Sequence, residues 1–164
     1  MIHLRRAGAI DAANMAALLN DLIEKGDTNA TKFLTTDIQQ RLCQPNSIWH
    51  LAEGNTGKLL GFQWIAPNPD LPANAINIGS FVRRVEAELS IGSALFERSK
   101  KAASQMGYRF IDAIIRADNT SGLTYYQSRG FETLRLVPSV QQDKGQSVEK
   151  VWKRFDLKGA SFTK

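Results

Sequence analysis

The sequence predicts an α/β domain with a mixed, mostly antiparallel central sheet and helices on both faces. Three observations predict this class. Segments with the two-residue period of strands alternate with segments of helical period along all 164 residues. The composition, 43% hydrophobic and 23% charged, is that of a globular protein. No internal repeat, linker or low-complexity stretch divides the chain, so residues 1–164 are expected to form a single domain.

The first half of the chain is predicted to contain a strand, two helices and a hairpin. Their bounds are Met1–Arg6, Asp11–Ile23, Ile38–Cys43, Ser47–Glu53 and Leu59–Ala66. Gly26 and Asp27 end the first helix, and Thr35 or Thr36 is expected to cap the second. Gly54–Gly57 has the residue types of a hairpin turn.

The second half is predicted to alternate strands and helices and to end in a hairpin. The elements are strand Ala75–Val82, helix Ile91–Met106, strand Tyr108–Ile115, a helix from Asp118 or Asn119 to Ser128, and strands Phe131–Gln141 and Ser147–Leu157. Arg83–Ser90 is expected to be an irregular loop, Gly107 and Gly130 to end the two helices, and Asp143–Gln146 to form the last turn.

Charge and composition narrow the function classes. The net charge of +5 (21 basic minus 16 acidic residues) favours anionic ligands, but the basic residues are dispersed, which favours a solvated basic face over nucleic-acid binding. The longest apolar run, Met15–Leu19, is far shorter than the roughly 20 residues of a membrane span. With Cys43 as the single cysteine, no internal disulfide can form, and a soluble cytoplasmic protein is expected.

The sequence lacks the residue patterns that several kinds of catalytic or binding site require. His3 and His50 are isolated, so no metal site is expected. Gly57–Lys58 is followed by leucine rather than Ser or Thr, which excludes a P-loop. Cys43 has no adjacent histidine and is expected to be a small buried hydrophobe.

The most informative segment is Ile78–Phe131, in which a loop runs into a helix and a second helix follows the next strand. A helix N-terminus presents unpaired N–H groups at the positive end of the macrodipole, a site suited to a pyrophosphate. In the second helix Asn119, Gly122 and Tyr126 have i, i+3 and i+7 spacing and therefore share one face.

These residues resemble the GNAT superfamily of acyl-CoA-dependent N-acyltransferases. Asn119, Gly122, Tyr125–Tyr126 and Gly130–Phe131 fit the pattern of the family's fourth helix, and Ile91–Leu95 is similar to the end of its pyrophosphate loop. The resemblance covers most of the chain, including the element order, and extends to amino-acid N-acetyltransferases of the phosphinothricin type.

The resemblance implies an acetyl-CoA-dependent N-acetyltransferase without a metal. The coenzyme would lie in a V-shaped opening between the strand ending at Val82 and strand Tyr108–Ile115. An amine would attack the thioester directly, and Tyr126 would protonate the leaving thiolate. The implied coenzyme-binding residues are Phe81, Val82, Arg83, Ala87, Glu88, Leu89, Ser90, Ile91, Gly92, Ser93, Asn119 and Tyr126.

The loop before the third helix departs from the family pattern. Ala87–Gly92 keeps only the last glycine, and Glu86 and Glu88 add negative charge where the family binds an anion, although Arg83 and Arg84 could compensate. The alternative reading is therefore a catalytically silent acyl-CoA-binding or regulatory domain of the same fold. A basic nucleic-acid-binding module is the third hypothesis and rests on charge alone.

The resemblance also predicts the acceptor and the assembly. The loops that would contact the acceptor are Gly26–Phe33, Pro67–Pro72 and the final hairpin turn, which are short and mostly uncharged and suit a small amine. Trp64 and Phe62 are expected to pack in the core, although one of them could face the acceptor pocket. The general base stays open among Glu53, Glu86, Glu88, His50 and a water chain. A homodimer through the late strands is common among similar proteins.

Overall fold

The computed structural model describes residues 2–24, 34–83, 88–140 and 147–158, and within them seven strands form one sheet with two pairs of helices. In chain order the elements are β1 (His3–Arg6), α1 (Ala12–Glu24), α2 (Thr35–Leu42), β2 (Ile48–Glu53), β3 (Leu59–Ala66), β4 (Ala75–Val82), α3 (Glu88–Gln105), β5 (Phe110–Arg116), α4 (Thr120–Arg129), β6 (Glu132–Val140) and β7 (Ser147–Asp156). The strand order is β1-β2-β3-β4-β5-β7-β6, and β4 with β5 is the parallel pair in this sheet. The predicted fold class is confirmed.

The helices cover opposite faces of the sheet because alternate side chains of each strand point to opposite sides. Helices α1 and α2 pack on a cluster that includes Trp49, Leu51 and Phe62, which we call the α1/α2 face. Helices α3 and α4 pack on a cluster that includes Ile76 and Ile111, the α3/α4 face. The two clusters bury most of the large apolar side chains of the described chain.

Strands β4 and β5 separate soon after they meet. Their parallel pairing consists of three residue pairs, Ala75 with Phe110, Ile76 with Ile111 and Asn77 with Asp112. Beyond these pairs, β4 continues to Val82 beside β3, and β5 continues to Arg116 beside β7. A cleft therefore opens in the sheet between residues 78–82 and residues 113–116, at the place that the family resemblance implies.

A buried ion pair lies at the point where β4 and β5 separate and stabilises this junction. Asp112 is 0% exposed, and its two carboxylate oxygens accept hydrogen bonds from Arg154 Nε and Nη2, both at 2.9 Å. Trp152 Nε1 donates to the same carboxylate at 2.9 Å, and Asn77 Nδ2 donates to the main-chain oxygen of Asp112 at 3.0 Å. These contacts connect β4, β5 and β7 at the base of the cleft.

Three local expectations from the sequence are wrong. Helix α2 has Leu34, rather than Thr35 or Thr36, as its N-cap residue, because the carboxylate of Asp37 accepts the Leu34 N–H at 2.8 Å and both threonines lie in the first turn. Cys43 is exposed rather than buried, since it follows the last residue of α2.

The third difference concerns α3, which begins at Glu88 rather than Ile91. Residues 88–90 are thus the first helical turn and not a loop. Ile91 and Leu95, one turn apart in α3, are both 0% exposed. Gly107 and Gly130 end α3 and α4 with φ of 90° and 104°, a left-handed conformation that glycine adopts without strain. The predicted stops at Gly26 and Asp27 and the turn Asp143–Gln146 lie outside the described residues.

No helix in the part of the chain that the structure describes is both long enough and apolar enough to cross a membrane.

Candidate active site

Main-chain groups line both edges of the cleft. The Arg83 N–H donates to the Leu60 oxygen, so alternate residues of β4 from Arg83 back to Asn77 direct their main-chain groups toward β3. The main-chain groups of Ser80 and Val82 therefore point toward β5, which has turned away at this level. By the same alternation on β5, Ile114 and Arg116 direct theirs toward β4.

The Tyr126 hydroxyl lies beside β4 at the level of the cleft. Tyr126 is 5% exposed, and its hydroxyl is 2.8 Å from the Oγ of Ser80, whose side chain is on the α3/α4 face. Burial raises the pKa of Tyr126, and the neighbouring Tyr125 raises it further, whereas the hydrogen bond with Ser80 acts in the opposite direction. Tyr126 is thus a neutral phenol near neutral pH.

A buried polar network extends from Ser80. Gln63 of β3 is 0% exposed, and its Nε2 donates to Ser80 Oγ at 2.7 Å and to the Tyr125 hydroxyl at 3.0 Å. Its Oε1 accepts a hydrogen bond from Ser99 of α3 at 2.6 Å. Four elements, β3, β4, α3 and α4, therefore meet in one set of hydrogen bonds next to Tyr126.

Tyr125 connects α4 to the start of α3. Its hydroxyl donates to the main-chain oxygen of Gly92 at 2.8 Å. A Cβ at position 92 would lie 2.6 Å from Cε1 of the Tyr125 ring, so only glycine allows this approach. Burial raises the pKa of Tyr125, and the hydrogen bond from Gln63 and the charge of Arg129 oppose the shift. Gly92 thus serves side-chain packing, a reason that the sequence pattern did not indicate.

Arg129 brings a positive charge to the same region. Its Nη1 donates to Ser93 Oγ at 2.6 Å, and its guanidinium carbon lies 5.3 Å from the centre of the Tyr125 ring. Ser93 belongs to the second turn of α3, so the guanidinium lies near the N-terminal end of that helix.

The predicted pyrophosphate donors fall in different parts of α3. Glu88, Leu89 and Ser90 form its first turn, in which main-chain N–H groups have no partner within the helix. Gly92 and Ser93 lie deeper, where an α-helix uses the N–H groups for its own hydrogen bonds. Ile91 is 0% exposed in the core. Ala87, Glu86 and Arg84 lie outside the described residues.

The predicted site residues at the end of β4 divide between the two faces of the sheet. Phe81 packs on Phe62 of the α1/α2 face with ring centres 5.2 Å apart. Val82 packs on the opposite face against a cluster of Ala52, Ile91 and Leu95. Arg83 forms an ion pair with Asp21 of α1 at 2.7 Å, and its Nε donates to the Leu59 oxygen at 3.0 Å.

Asn119 is the N-cap residue of α4. Its Oδ1 accepts hydrogen bonds from the Gly122 N–H at 3.1 Å and from Ser121 Oγ at 3.2 Å. This cap fixes the first turn of the helix that carries Tyr126. Tyr126 itself lies two turns further along α4.

Two of the acid–base candidates, Glu53 and His50, lie in β2, which β3 separates from β4 and the cleft. Glu53 bonds to Arg5 at the far side of the sheet, with 3.2 Å between Arg5 Nη2 and Glu53 Oε2. His50 is buried, and burial, together with the charges of Arg6 and Arg98, lowers its pKa to about 4. No hydrogen-bond partner is found for His50 Nδ1 within the described residues.

A cavity of about 180 Å³ opens on the α1/α2 face near the base of the cleft. Its lining combines tryptophans of β2 and β3, polar side chains and small or cyclic apolar residues. The lining residues are Arg41, Gln44, Trp49, Trp64, Ala66, Pro67, Asn68, Pro69 and Asn77. Trp64 is only partly buried and lies against Gly79, whose missing side chain leaves room for the indole. The predicted loop Pro67–Pro72 thus contributes to a cavity next to Asn77, where β4 and β5 separate.

Among the residues that the structure describes, no group of three or more His, Cys, Asp or Glu side chains could hold a metal ion. Ser80, Gln63, Ser99 and Arg129 were not predicted as site residues. Gln63 and Ser80 share one signal, a polar residue within a mostly apolar strand: Gln63 lies in LLGFQWIA and Ser80 in AINIGSFV. Buried polar groups of this kind need partners, and these partners converge on one point.

Solved structures with the same fold are N-acetyltransferases. An N-acetyltransferase from Staphylococcus aureus Mu50 is 22% identical, with a TM-score of 0.77 over 96% of this chain and 99% of that one. A GCN5-related N-acetyltransferase from Kribbella flavida is 21% identical, with a TM-score of 0.75 over 94% and 97%. A GNAT superfamily phosphinothricin acetyltransferase from Sinorhizobium meliloti, solved with AcCoA, is 17% identical, with a TM-score of 0.77 over 94% and 88%.

The chain therefore has the GNAT acetyltransferase fold. Neither a protein-family model nor a curated protein matches its sequence.

Proposed function

We propose that this chain is an acetyl-CoA-dependent N-acetyltransferase that acts on the amine of a small molecule. One observation carries the proposal: β4 and β5 separate after three residue pairs, so the main-chain groups of Ser80 and Val82 on the β5 side have no strand partner among the described residues, and Ser80 lies beside the Tyr126 hydroxyl. The solved complex of a phosphinothricin acetyltransferase of the same fold with AcCoA supports this choice of acyl donor.

The cleft provides hydrogen-bonding groups that suit a pantetheine chain. Pantetheine contains two amides in an extended chain, and unpaired strand edges at Ser80 and Val82 offer N–H and C=O groups to such amides. Phe81 directs its main-chain groups toward β3, so its contribution is the packing of its ring on Phe62 below the cleft. The side chain of Val82 would border the same path on the α3/α4 face.

The first turn of α3 and Arg129 suit the pyrophosphate. The N–H groups of residues 88–90 lie at the positive end of the α3 macrodipole. Arg129 adds a full positive charge near this end. Arg83, in contrast, is paired with Asp21.

Bound acetyl-CoA would supply an activated thioester, and the residues of this chain would orient it and protonate the leaving sulfur. As the acceptor nitrogen forms its bond to the acetyl carbon, the C–S bond breaks and the Tyr126 hydroxyl donates its proton to that sulfur. A thiol has a pKa near 8.5 and a phenol near 10, so the transfer is uphill unless the site stabilises the tyrosinate. Burial raises the pKa of Tyr126 and so makes this proton transfer more unfavourable.

The cavity on the α1/α2 face is the proposed acceptor site. Trp49 and Trp64 offer flat apolar surfaces, whereas Asn68 and Asn77 offer amide groups. A volume of about 180 Å³ admits a small amine but no folded polypeptide. The homodimer stays a prediction from the resemblance, and the cytoplasmic location stays a prediction from the single cysteine. Two leucines of edge strand β6, Leu134 and Leu136, are 47% and 55% exposed.

Titration calorimetry with acetyl-CoA, followed by thiol detection with a panel of small amines, tests the proposal. We expect micromolar binding and amine-dependent thiol release. Tyr126→Phe should lower kcat about 100-fold or more, because it removes the general acid, and should leave acetyl-CoA affinity unchanged. Tyr108→Phe, a partly buried tyrosine before β5, is the matched control and should behave as the wild type.

Absence of binding at millimolar acetyl-CoA would contradict the proposal and favour a silent domain of the same fold. Binding with full turnover in Tyr126→Phe would leave the function in place and remove the assigned acid.

A further inference from the structure

The polar network beside Tyr126 is more elaborate than packing requires. Gln63 is 0% exposed and Ser99 is 1% exposed, in an interface between the sheet and α3 that is otherwise mostly apolar. A buried amide is unfavourable unless all its hydrogen bonds are made. Here the Gln63 amide makes three, to Ser80, Tyr125 and Ser99.

The Gly92 carbonyl fixes the direction of the hydrogen bonds. A carbonyl oxygen only accepts, so the single hydroxyl proton of Tyr125 is donated to Gly92 O at 2.8 Å. The Tyr125 oxygen must then accept from Gln63, which requires the NH₂ group of Gln63 to face Tyr125 and Ser80. Ser99 completes the assignment by donating to Gln63 Oε1.

Ser80 can thereby act as a donor to Tyr126. Its oxygen accepts a proton from Gln63 Nε2 at 2.7 Å, and Gln63 Nε2 cannot accept one in return. The Ser80 and Tyr126 oxygens are 2.8 Å apart, and either hydroxyl can donate across this distance. When Ser80 donates, the phenolic proton of Tyr126 is not used within this network.

We propose that Gln63 and Ser80 are positioning residues that hold the Tyr126 proton available for the leaving sulfur and stabilise the tyrosinate that remains. This inference rests on the proposed function. The Tyr126 O–H bond breaks, its proton joins the thiolate sulfur, and the anion keeps the hydrogen bond from Ser80. The acceptor nitrogen releases one proton to solvent, and the tyrosinate regains one from solvent, so the cycle balances.

A hydrogen bond to an anion stabilises it enough to change a rate about ten- to hundredfold. We therefore expect Ser80→Ala to lower kcat by that factor, with unchanged acetyl-CoA affinity and acceptor KM. Ser80→Thr keeps the hydroxyl and should retain most of the activity. In the Tyr126→Phe background Ser80→Ala should have no further effect, because a positioning residue acts only through the group that it positions.

A second measurement needs no coenzyme. In protein labelled with ¹³C at the tyrosine Cζ, the Tyr126 resonance is assigned by its loss in Tyr126→Phe. We expect this resonance to shift in Ser80→Ala and in Gln63→Met, which is similar in volume but has no donor, and to stay near its wild-type position in Ser80→Thr. All variants are compared at a temperature at which circular dichroism shows them folded.

The outcomes separate the two proposals. An active wild type in which Ser80→Ala has no effect, or has the same effect with and without the Tyr126 hydroxyl, overturns the positioning role and leaves the function intact. If the Tyr126 resonance does not shift in Gln63→Met, the positioning role is also overturned. A wild type that neither binds acetyl-CoA nor releases thiol overturns the proposed function and the positioning role with it.

Discussion

His50 shows how one buried side chain couples folding to pH. It lies in β2 on the side that faces α3, with Arg6 and Arg98 among the charges that act on it. Its pKa of about 4 means that the folded protein resists protonation of this ring. In the unfolded chain His50 is protonated below about pH 6.5. The contribution of His50 to the free energy of unfolding is therefore fully present above pH 6.5 and is lost as the pH falls toward 4.

We predict that His50→Leu removes this part of the acid sensitivity. Between pH 7 and pH 4, the wild type should lose about 2–3 kcal/mol more of its free energy of unfolding than the variant loses. Urea denaturation at several pH values measures the difference. At pH 7 the substitution should cost little, because His50 Nδ1 makes no hydrogen bond within the described residues that leucine would remove. Parallel pH profiles for the two proteins would refute the assignment.

At the scale of elements, the start of α3 and the body of α4 are joined by polar contacts rather than by a large apolar seam. Tyr125 reaches the Gly92 carbonyl, and Arg129 reaches Ser93 one residue further along α3. The two contacts place a neutral hydroxyl and a cation on the same side of α3. In the proposed function, Arg129 supplies the charge that the pyrophosphate needs.

Arg129→Met should weaken acetyl-CoA binding about tenfold, since a charge-assisted contact with the pyrophosphate is lost while the hydrocarbon stem is kept. Calorimetry at low salt measures the change. Arg109→Met is the matched control, because Arg109 pairs with Asp156 at the opposite end of β5 and should leave affinity unchanged. Equal affinities for the wild type and Arg129→Met would show that this cation does not serve the coenzyme.

The sequence predicted the elements better than their contacts. Strand and helix periods, the Asn119 cap and the stops at Gly107 and Gly130 depend on neighbours in the chain, and all were recovered. The network of Gln63, Ser80 and Tyr125 joins residues 17 to 62 positions apart. Whether such side chains meet depends on strand register and helix rotation, which local periodicity does not specify. The pairing of Arg83 with Asp21 could not be predicted from the sequence for the same reason, because it depends on how α1 packs against β4.

At the scale of the whole molecule, the sheet depends on the junction at Asp112. The carboxylate is fully buried and paired with Arg154, whose side chain is 20% exposed, while Trp152 supplies a further donor. The three residues bring the β5–β7 ladder and the β4–β5 junction together. Removing one partner of a buried pair leaves a desolvated charge without compensation.

Arg154→Met should lower the free energy of unfolding by about 3–5 kcal/mol, because Asp112 would remain buried without its cation. Arg109→Met removes the exposed pair with Asp156 and should cost about 0–1 kcal/mol. Both arginines lie over the Phe110 ring, at 4.1 and 5.0 Å, so the comparison holds that contact roughly constant. Chemical denaturation of both variants distinguishes the cases, and similar losses would contradict the role given to Asp112.

The short parallel junction also divides the sheet into two ladders. Strands β1–β4 form one antiparallel ladder and β5–β7 form another, and three residue pairs join them within the sheet. Side chains of both ladders, among them Ile76 and Ile111, pack in one cluster on the α3/α4 face. A ligand that hydrogen-bonds to both open edges would act as a missing strand and add main-chain coupling to that packing. Substrate binding would then stabilise the sheet at the place where its own hydrogen bonds end.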